Sequence, residues 1–223
     1  MKGVFGGFVK AVARTIIRGS WKPGRGGGRH ITRYSMYKRL AQVSGVLPVS
    51  PGQRVLSISH SDVLCHEMGL DGLSIVTADY PEFNVLNLAL PDQSFDYVVS
   101  DQVLEHVEGS PQQAVDEMFR VLRPGGFGIH TTCFMNPIHG CPGDFWRFTP
   151  AALELLCRHH GEIVELGGWG NYYVWIPVVA GLRYEPVLES RRSPLRWIAT
   201  HNSSRWLVST WIIVRKTAAL PGS

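Results

Sequence analysis

Hydrophobic and polar positions divide the chain into a helical N-terminal part and an alternating remainder. In residues 4–18, VFGGFVKAVARTIIR, the apolar Phe5, Phe8, Val9, Val12 and Ile16 recur at helical spacing. Lys10, Arg14 and Arg18 take the opposite face, so the pattern predicts a basic amphipathic helix, weakened at its start by Gly6 and Gly7. Residues 32–47, TRYSMYKRLAQVSGVL, predict a second helix ending near Gly45, before the turn PVSPGQ. From Arg54 onward short apolar runs alternate with amphipathic ones. RVLSIS, LSIVTAD, FDYVVSD and FGIHTTC read as strands, and EIVELGGW and WLVSTWIIVRK are the last strand candidates. Between them SDVLCHEMG, SPQQAVDEMFRVL and TPAALELLCRHHG read as helices, with Ser61 or Asp62, Ser110 and Thr149 as their caps. RPGG is expected to stop the second of these. Strand and helix in alternation imply a parallel sheet covered on both faces.

Composition adds size and compartment. With 223 residues and 44% hydrophobic content, one sizeable core with appendages is expected. No apolar run reaches the roughly 18–20 residues that span a bilayer, and no secretory signal pattern opens the chain, so a cytoplasmic location is expected. Cys65, Cys133, Cys141 and Cys157 form no CxxC pair and read as reduced thiols.

Charge divides the chain more sharply than its net +4 suggests. Eleven of the 22 Lys and Arg residues and none of the 18 Asp and Glu residues fall in Met1–Ser61, so a basic arm is joined to an acidic body. With its apolar face, residues 4–18 could attach peripherally to anionic lipid or pack on the body. WKPGRGGGRH, residues 21–30, lacks the GK[ST] ending of a phosphate loop and reads as a flexible basic connector. Nucleic acid is only weakly signalled there.

The motif order carries more. A strand, a turn, a helix and a strand ending in Asp79 are followed by LPDQSFDYVVSDQVLEHV and EMFRVLRPGGFGIHTT. Over about residues 53–168 this resembles the class I S-adenosylmethionine (SAM)-dependent methyltransferases, the branch with a PD-x-SFD…LEH…RVLRPGG signature. The resemblance implies a Rossmann-like, seven-stranded, mostly parallel sheet with helices on both faces and its last strand antiparallel. SAM would lie across the carboxyl ends of the first strands. The implied organisation is a basic helical arm and linker at 1–50, the methyltransferase-like domain at 51–217 with an aromatic-rich insertion at 169–206, and a tail at 218–223.

By position, the resemblance implies that Asp79 accepts the two ribose hydroxyls, that Asn87 and Leu88 sit near adenine, and that Asp101, with Gln102 adjacent, lies beside the methionine moiety. The chain departs from the pattern at SISHSD. Ser57 stands where the family has an acidic residue, and Ser59 and Ser61 stand where it has glycines. Ser57, Ser59, His60 and Ser61 are therefore expected as cofactor neighbours of a modified loop, which loses one charge-assisted bond and the conformational freedom of glycine.

For the chemistry, methyl transfer asks mostly for positioning, and a hydroxyl acceptor also has to lose a proton. His106, in LEHV, is the candidate base or acceptor-positioning group, or else an organiser of the turn with Glu105. NPIHGCPGDFWRFTP looks like a segment of methyltransferases acting on sugars or polar small molecules. From it His139 is a second catalytic candidate, and His139, Asp144 and Arg147 are substrate contacts; Arg147 could equally be held in a stack by Trp146 and Phe148. His130, within its strand, reads as a core residue. The spacing of His130, Cys133, His139 and Cys141 fits no common zinc site, so no metal is expected. YYVWIPVVAGLRY, residues 172–184, is a candidate wall for an apolar part of the substrate, or simply cover for the sheet.

The expected function is SAM-dependent O-methylation of a sugar or other small polar metabolite, lipid-linked substrates included, with a membrane contact through the N-terminal helix. The alternative is a non-catalytic binding module of the same fold, recruited to membrane or nucleic acid by the basic arm.

Overall fold

The computed structural model describes residues 29–140 and 142–217. The predicted helix at 4–18, most of the connector after it, Cys141 and the tail lie outside the described residues. The described residues fall in two compact units, 37–140 and 142–168 with 209–217, and 29–36 with 169–208. Among the described residues no helix is long and apolar enough to cross a membrane.

The larger unit is a sheet with helices. Helix α1 (Tyr34–Ser44) leads into β1 (Arg54–Ile58), α2 (Asp62–Glu67), β2 (Ser74–Ala78), β3 (Phe95–Asp101), α3 (Pro111–Val121), β4 (Leu122–Cys133), α4 (Pro150–Cys157), β5 (Gly161–Trp169) and, after the second unit's residues, β6 (Ser209–Lys216). The strand order is β2-β1-β3-β4-β6-β5. β1 to β4 run parallel, and β6 is antiparallel to β4. Six strands stand where the resemblance implied seven. The connection from β2 to β3, residues 79–94, is too short to hold both a crossover helix and another parallel strand, since each parallel return takes a dozen residues or more. Its apolar residues line a cleft instead.

Local chemistry explains the helices that hold the sheet. In α3, Ser110 Oγ accepts the Gln113 N–H and proline occupies the first turn, where its missing donor is harmless. One face of α3, with Ala114, Val115, Met118 and Phe119, is buried on the sheet in a core shared with Leu56, Val98, Leu122 and Ile212. RPGG does not simply stop this helix. The helix ends at Val121, Leu122 already pairs with Phe95, and pairing resumes at Tyr97 with Phe127. The residues between bulge out of the strand, which requires Gly125 at φ +80° and Gly126, whose added Cβ would stand 2.6 Å from the Asp96 carbonyl oxygen.

In the smaller unit a bridge joins His30 to Pro186, and Asn171 Nδ2 donates to the Ile198 and His201 carbonyls. The 169–206 interval holds two short helices, α5 (Trp175–Val179) and α6 (Pro194–Thr200). Five rings form a connected series through Trp206, Tyr172, Tyr173, Trp197 and His201, with centroids 4.0–6.1 Å apart. Tyr172, Ile176, Val179, Trp197 and Trp206 are exposed.

Candidate functional site

The strand order reverses between β1 and β3, and the carboxyl ends of β1, β2 and β3 border a cleft of about 540 Å³. This is the topological switch point where open parallel sheets bind ligands, and the volume suits a nucleoside-sized molecule. Ile58, Ser59 and His60 line it from β1, and Ala78 and Tyr80 from β2. Gln102, Val103 and His106 follow β3 into it, and Phe83, Val85 and Leu86 form an apolar wall.

The glycine-free turn takes the conformation that glycine would supply. Ser59 has φ +49° and His60 φ +62°, both left-handed, at a cost of order 1–3 kcal/mol each for residues with a side chain. Hydrogen bonds hold the strained turn: the Ser59 N–H donates to the Ala78 carbonyl at 3.0 Å and the His60 N–H to Asp79 Oδ1 at 2.9 Å. His60 Nδ1 lies 3.4 Å from Asp79 Oδ2.

The remaining residues expected around the cofactor divide into those at the cleft and those behind it. Asp79, between the lining Ala78 and Tyr80, is not itself among the residues that line the cleft; its side chain is one-third exposed (33%) and, beyond its bonds to His60, keeps lone pairs that two further donors can use. Ser61 is fully buried: its hydroxyl donates to the Ile58 carbonyl and accepts the Asp101 N–H at 2.7 Å, pinning the ends of β1 and β3 together. Ser57 is buried too, in the layer where the Cys65 thiol faces it, and does not line the cleft. Asp101 accepts from the Tyr37 hydroxyl and from Thr131 Oγ1, so its carboxylate is engaged by its own chain. Gln102 lines the cleft at φ +60°; Nε2 donates to Thr131 Oγ1, and Oε1 is buried without a hydrogen-bond partner.

Leu88 is in the core, its N–H donating to Glu117 Oε2 and its carbonyl accepting from Arg120 Nη2, and Asn87 is exposed with its N–H turned to the Asn84 carbonyl. The apolar wall therefore falls a few residues earlier, on Phe83, Val85 and Leu86. Sequence reasoning passed over YPEFNVL because it has no period; its one signal was an aromatic and apolar run directly after the strand that ends at Asp79.

On the other flank of the cleft stands an imidazole pair. A single 3₁₀ turn, Leu104–His106, follows β3, and His106 Nδ1 donates to the Gly143 carbonyl, which can only accept. The His106 and His139 rings meet edge to face with centroids 5.0 Å apart. Asp144 organises the loop that brings His139 there. It takes two bonds from the Arg147 guanidinium and one, at 2.8 Å, from the His139 N–H. Arg147 beside it holds the Asp144 carboxyl well below the usual carboxylate range. Arg147 is thus clamped by Asp144, and it also donates to the Trp146 carbonyl. Glu105, fully buried, accepts from Thr132 Oγ1 at 2.7 Å, and its carbonyl accepts the Phe145 and Trp146 N–H groups. His130 belongs to the core: Nδ1 meets Ser100 Oγ at 2.8 Å, and burial pushes its pKa down to about 3. Cys65, Cys133 and Cys157 are buried and form no disulfide among the described residues.

Residues 23–129 match the family model described as a methyltransferase domain. A Mycolicibacterium smegmatis protein named a probable S-adenosylmethionine-dependent methyltransferase is 35% identical over 147 residues, 60% of this chain and 56% of that protein. An uncharacterised 37.1 kDa protein from a Streptomyces fradiae transposon is 36% identical over 78 residues, 35% of this chain and 22% of its own length, so the matches span little more than half of these relatives at most. Among solved structures, phosphoethanolamine N-methyltransferase 2 of Haemonchus contortus in complex with SAM superposes with TM-score 0.56 at 15% identity, covering 94% of this chain and 57% of that one. The [4+2]-cyclase SpnF superposes at 0.52, also at 15% identity, over 96% of both chains. At such identities the likeness is one of fold, and a cyclase among the neighbours separates fold from reaction. Motif order, sheet topology and the family model matched over residues 23–129 agree, and this part of the chain is similar to the methyltransferase domain of class I SAM-dependent enzymes.

Proposed function

We propose that this chain binds SAM in the cleft at the ends of β1–β3 and transfers its methyl group to an oxygen of a sugar or another small polar molecule. The observation that carries the reading is the turn at Ser59 and His60, which holds the left-handed geometry of a glycine loop without its glycines and opens the strand end to a ligand. The residues fit the cofactor. Phe83, Val85 and Leu86 offer a wall for the adenine, Asp79 offers acceptors for the ribose hydroxyls, and the buried Gln102 Oε1 offers one for the ammonium. When bound, SAM supplies a sulfonium carbon to an in-line displacement, and the protein's part is to align the acceptor. His106, whose Nδ1–H is committed to Gly143, presents Nε2 for that purpose, and His139 beside it extends the polar flank.

Titration calorimetry with SAM and S-adenosylhomocysteine tests the reading. Binding of both at one site per chain, in the micromolar range, is expected; no heat at millimolar ligand from folded protein overturns it in favour of a non-catalytic scaffold.

The exposed aromatic series supports a peripheral membrane contact as well. Trp and Tyr suit the headgroup level of a bilayer, and Arg183, Arg191, Arg192, Arg196 and Arg205 outnumber Glu185 and Glu189 in the same segment. The full chain is expected to co-sediment with phosphatidylserine-containing vesicles and to remain in solution with phosphatidylcholine ones. Loss of sedimentation in a chain lacking residues 1–28 would locate the contact in the arm alone, and equal sedimentation with both vesicle types would exclude a charge-driven contact.

A further inference from the structure

Glu105, His106 and His139 each bring one donor atom into a group whose members all lie within 4.8 Å of one another. None belongs to the cofactor's expected contacts, and two of the three come from the turn at the end of β3, beside the cleft that His106 lines. We propose that this trio is a binding site for a divalent first-row cation of the zinc type, which holds the oxygen of the methyl acceptor.

The outer atoms of the trio argue for this use. In metal sites each ligating imidazole donates or anchors its other nitrogen, and each ligating carboxylate is itself hydrogen-bonded, so that the ligand atoms are aimed. Here His106 Nδ1 is fixed by the Gly143 carbonyl, which leaves Nε2 as the lone-pair nitrogen. His139 Nδ1 faces Asp144 Oδ2 at 3.4 Å, a carboxylate that can take its proton and so aim Nε2 as the lone-pair nitrogen. Glu105 Oε2 is fixed by Thr132 Oγ1 at 2.7 Å. Two imidazoles and one carboxylate are a ligand set of open catalytic zinc sites, with a position left for an oxygen. Ligands at about 2.1 Å from a tetrahedral ion stand about 3.4 Å apart, so donor atoms that all lie within 4.8 Å of one another need to close by about 1.4 Å at most. Glu105 is fully buried, so the adjustment falls to the half-buried His139 side chain.

The proposal rests on methyl transfer as the reaction and adds what the acceptor requires. A cation on the acceptor hydroxyl lowers its pKa, so its proton leaves to water. The oxygen then attacks the sulfonium methyl: the O–C bond forms, the C–S bond breaks with its pair to sulfur, and S-adenosylhomocysteine departs. A hydroxyl-bearing acceptor, rather than an amine, is the class such a site selects.

The test is calorimetric titration of Co²⁺ into the chelator-treated full chain, with visible absorption of bound Co²⁺ as a second readout. Asp116 and His159, both exposed, and the half-buried His160 form another group of donors away from the cleft, so the experiment is run in the His159→Gln background. One Co²⁺ per chain is expected, without a thiolate charge-transfer band, and His139→Gln is expected to weaken it at least tenfold. His106→Gln should do the same, and either variant that stays folded by circular dichroism suffices. No binding in the His159→Gln chain, or binding indifferent to both His106 and His139, overturns the site. SAM titration in the presence of chelator is read separately, and SAM is expected to bind there: a chain that binds SAM but takes up no Co²⁺ sinks the cation site alone, and one that takes up Co²⁺ but binds no SAM sinks the methyl-transfer reading alone.

Discussion

Moving from pH 7 to pH 5 is expected to cost the sheet unit about 2 kcal/mol of stability through His130 alone. Folded His130 is fully buried against Phe119, with Ser100 as its partner, and burial pushes its pKa from 6.5 down to about 3. Above pH 6.5 the imidazole is neutral in both states and nothing is lost. Below it the unfolded chain takes up a proton that the folded chain refuses, and stability falls by about 1.4 kcal/mol per pH unit until the folded pKa is reached. His30, in the smaller unit, is pushed down to about 4 by burial and by Arg33 and Arg183, and adds about 2 kcal/mol there over the same interval. His160 shifts in the same direction, chiefly by burial. The depressed Asp144 carboxyl titrates below this interval in both states, its unfolded value being 3.8, so the histidines dominate the window. Urea unfolding followed by circular dichroism at pH 7 and pH 5 reads the loss. His130→Gln should flatten it, and a wild-type loss below about 0.5 kcal/mol would mean that His130 accepts its proton in the folded state.

The sheet was legible from sequence because its evidence is periodic. RVLSI, SIVTA and FDYVVSD alternate with helices whose caps, Ser110 and Thr149, are visible as letters, and the structure uses both hydroxyls as caps. What periodicity could not show was which side chains were already spoken for. Asp101 stood at the correct strand end, yet Tyr37 from α1 and Thr131 from β4 engage its carboxylate, and both are distant in sequence. Ser61 looked like a loop residue and is a buried crosslink between strand ends. The seventh strand came from resemblance alone, and the short connection after Asp79 contradicts it. At the departures from the family's letters the backbone conformation that glycine favours is imposed on serine and histidine, with hydrogen bonds on both sides to secure it.

Asp79→Ala is expected to weaken SAM binding tenfold to about a hundredfold, equivalent to 1.5–3 kcal/mol, while the chain remains folded. Two causes could produce that loss. The carboxylate is the acceptor offered to the ribose hydroxyls, and it also receives the His60 N–H at 2.9 Å, which holds the turn left-handed. Glycine separates them. In a Ser59→Gly, His60→Gly chain the left-handed turn costs almost nothing, so the turn no longer depends on Asp79 to hold it. Those two substitutions should leave SAM affinity within about threefold of the parent, because a shift under 0.7 kcal/mol is all that a preserved backbone allows. If Asp79→Ala in that background still costs tenfold or more by calorimetry, the carboxylate holds the ribose directly. If affinity is then restored, Asp79 acts only through the turn, and the ribose assignment falls while the cleft remains.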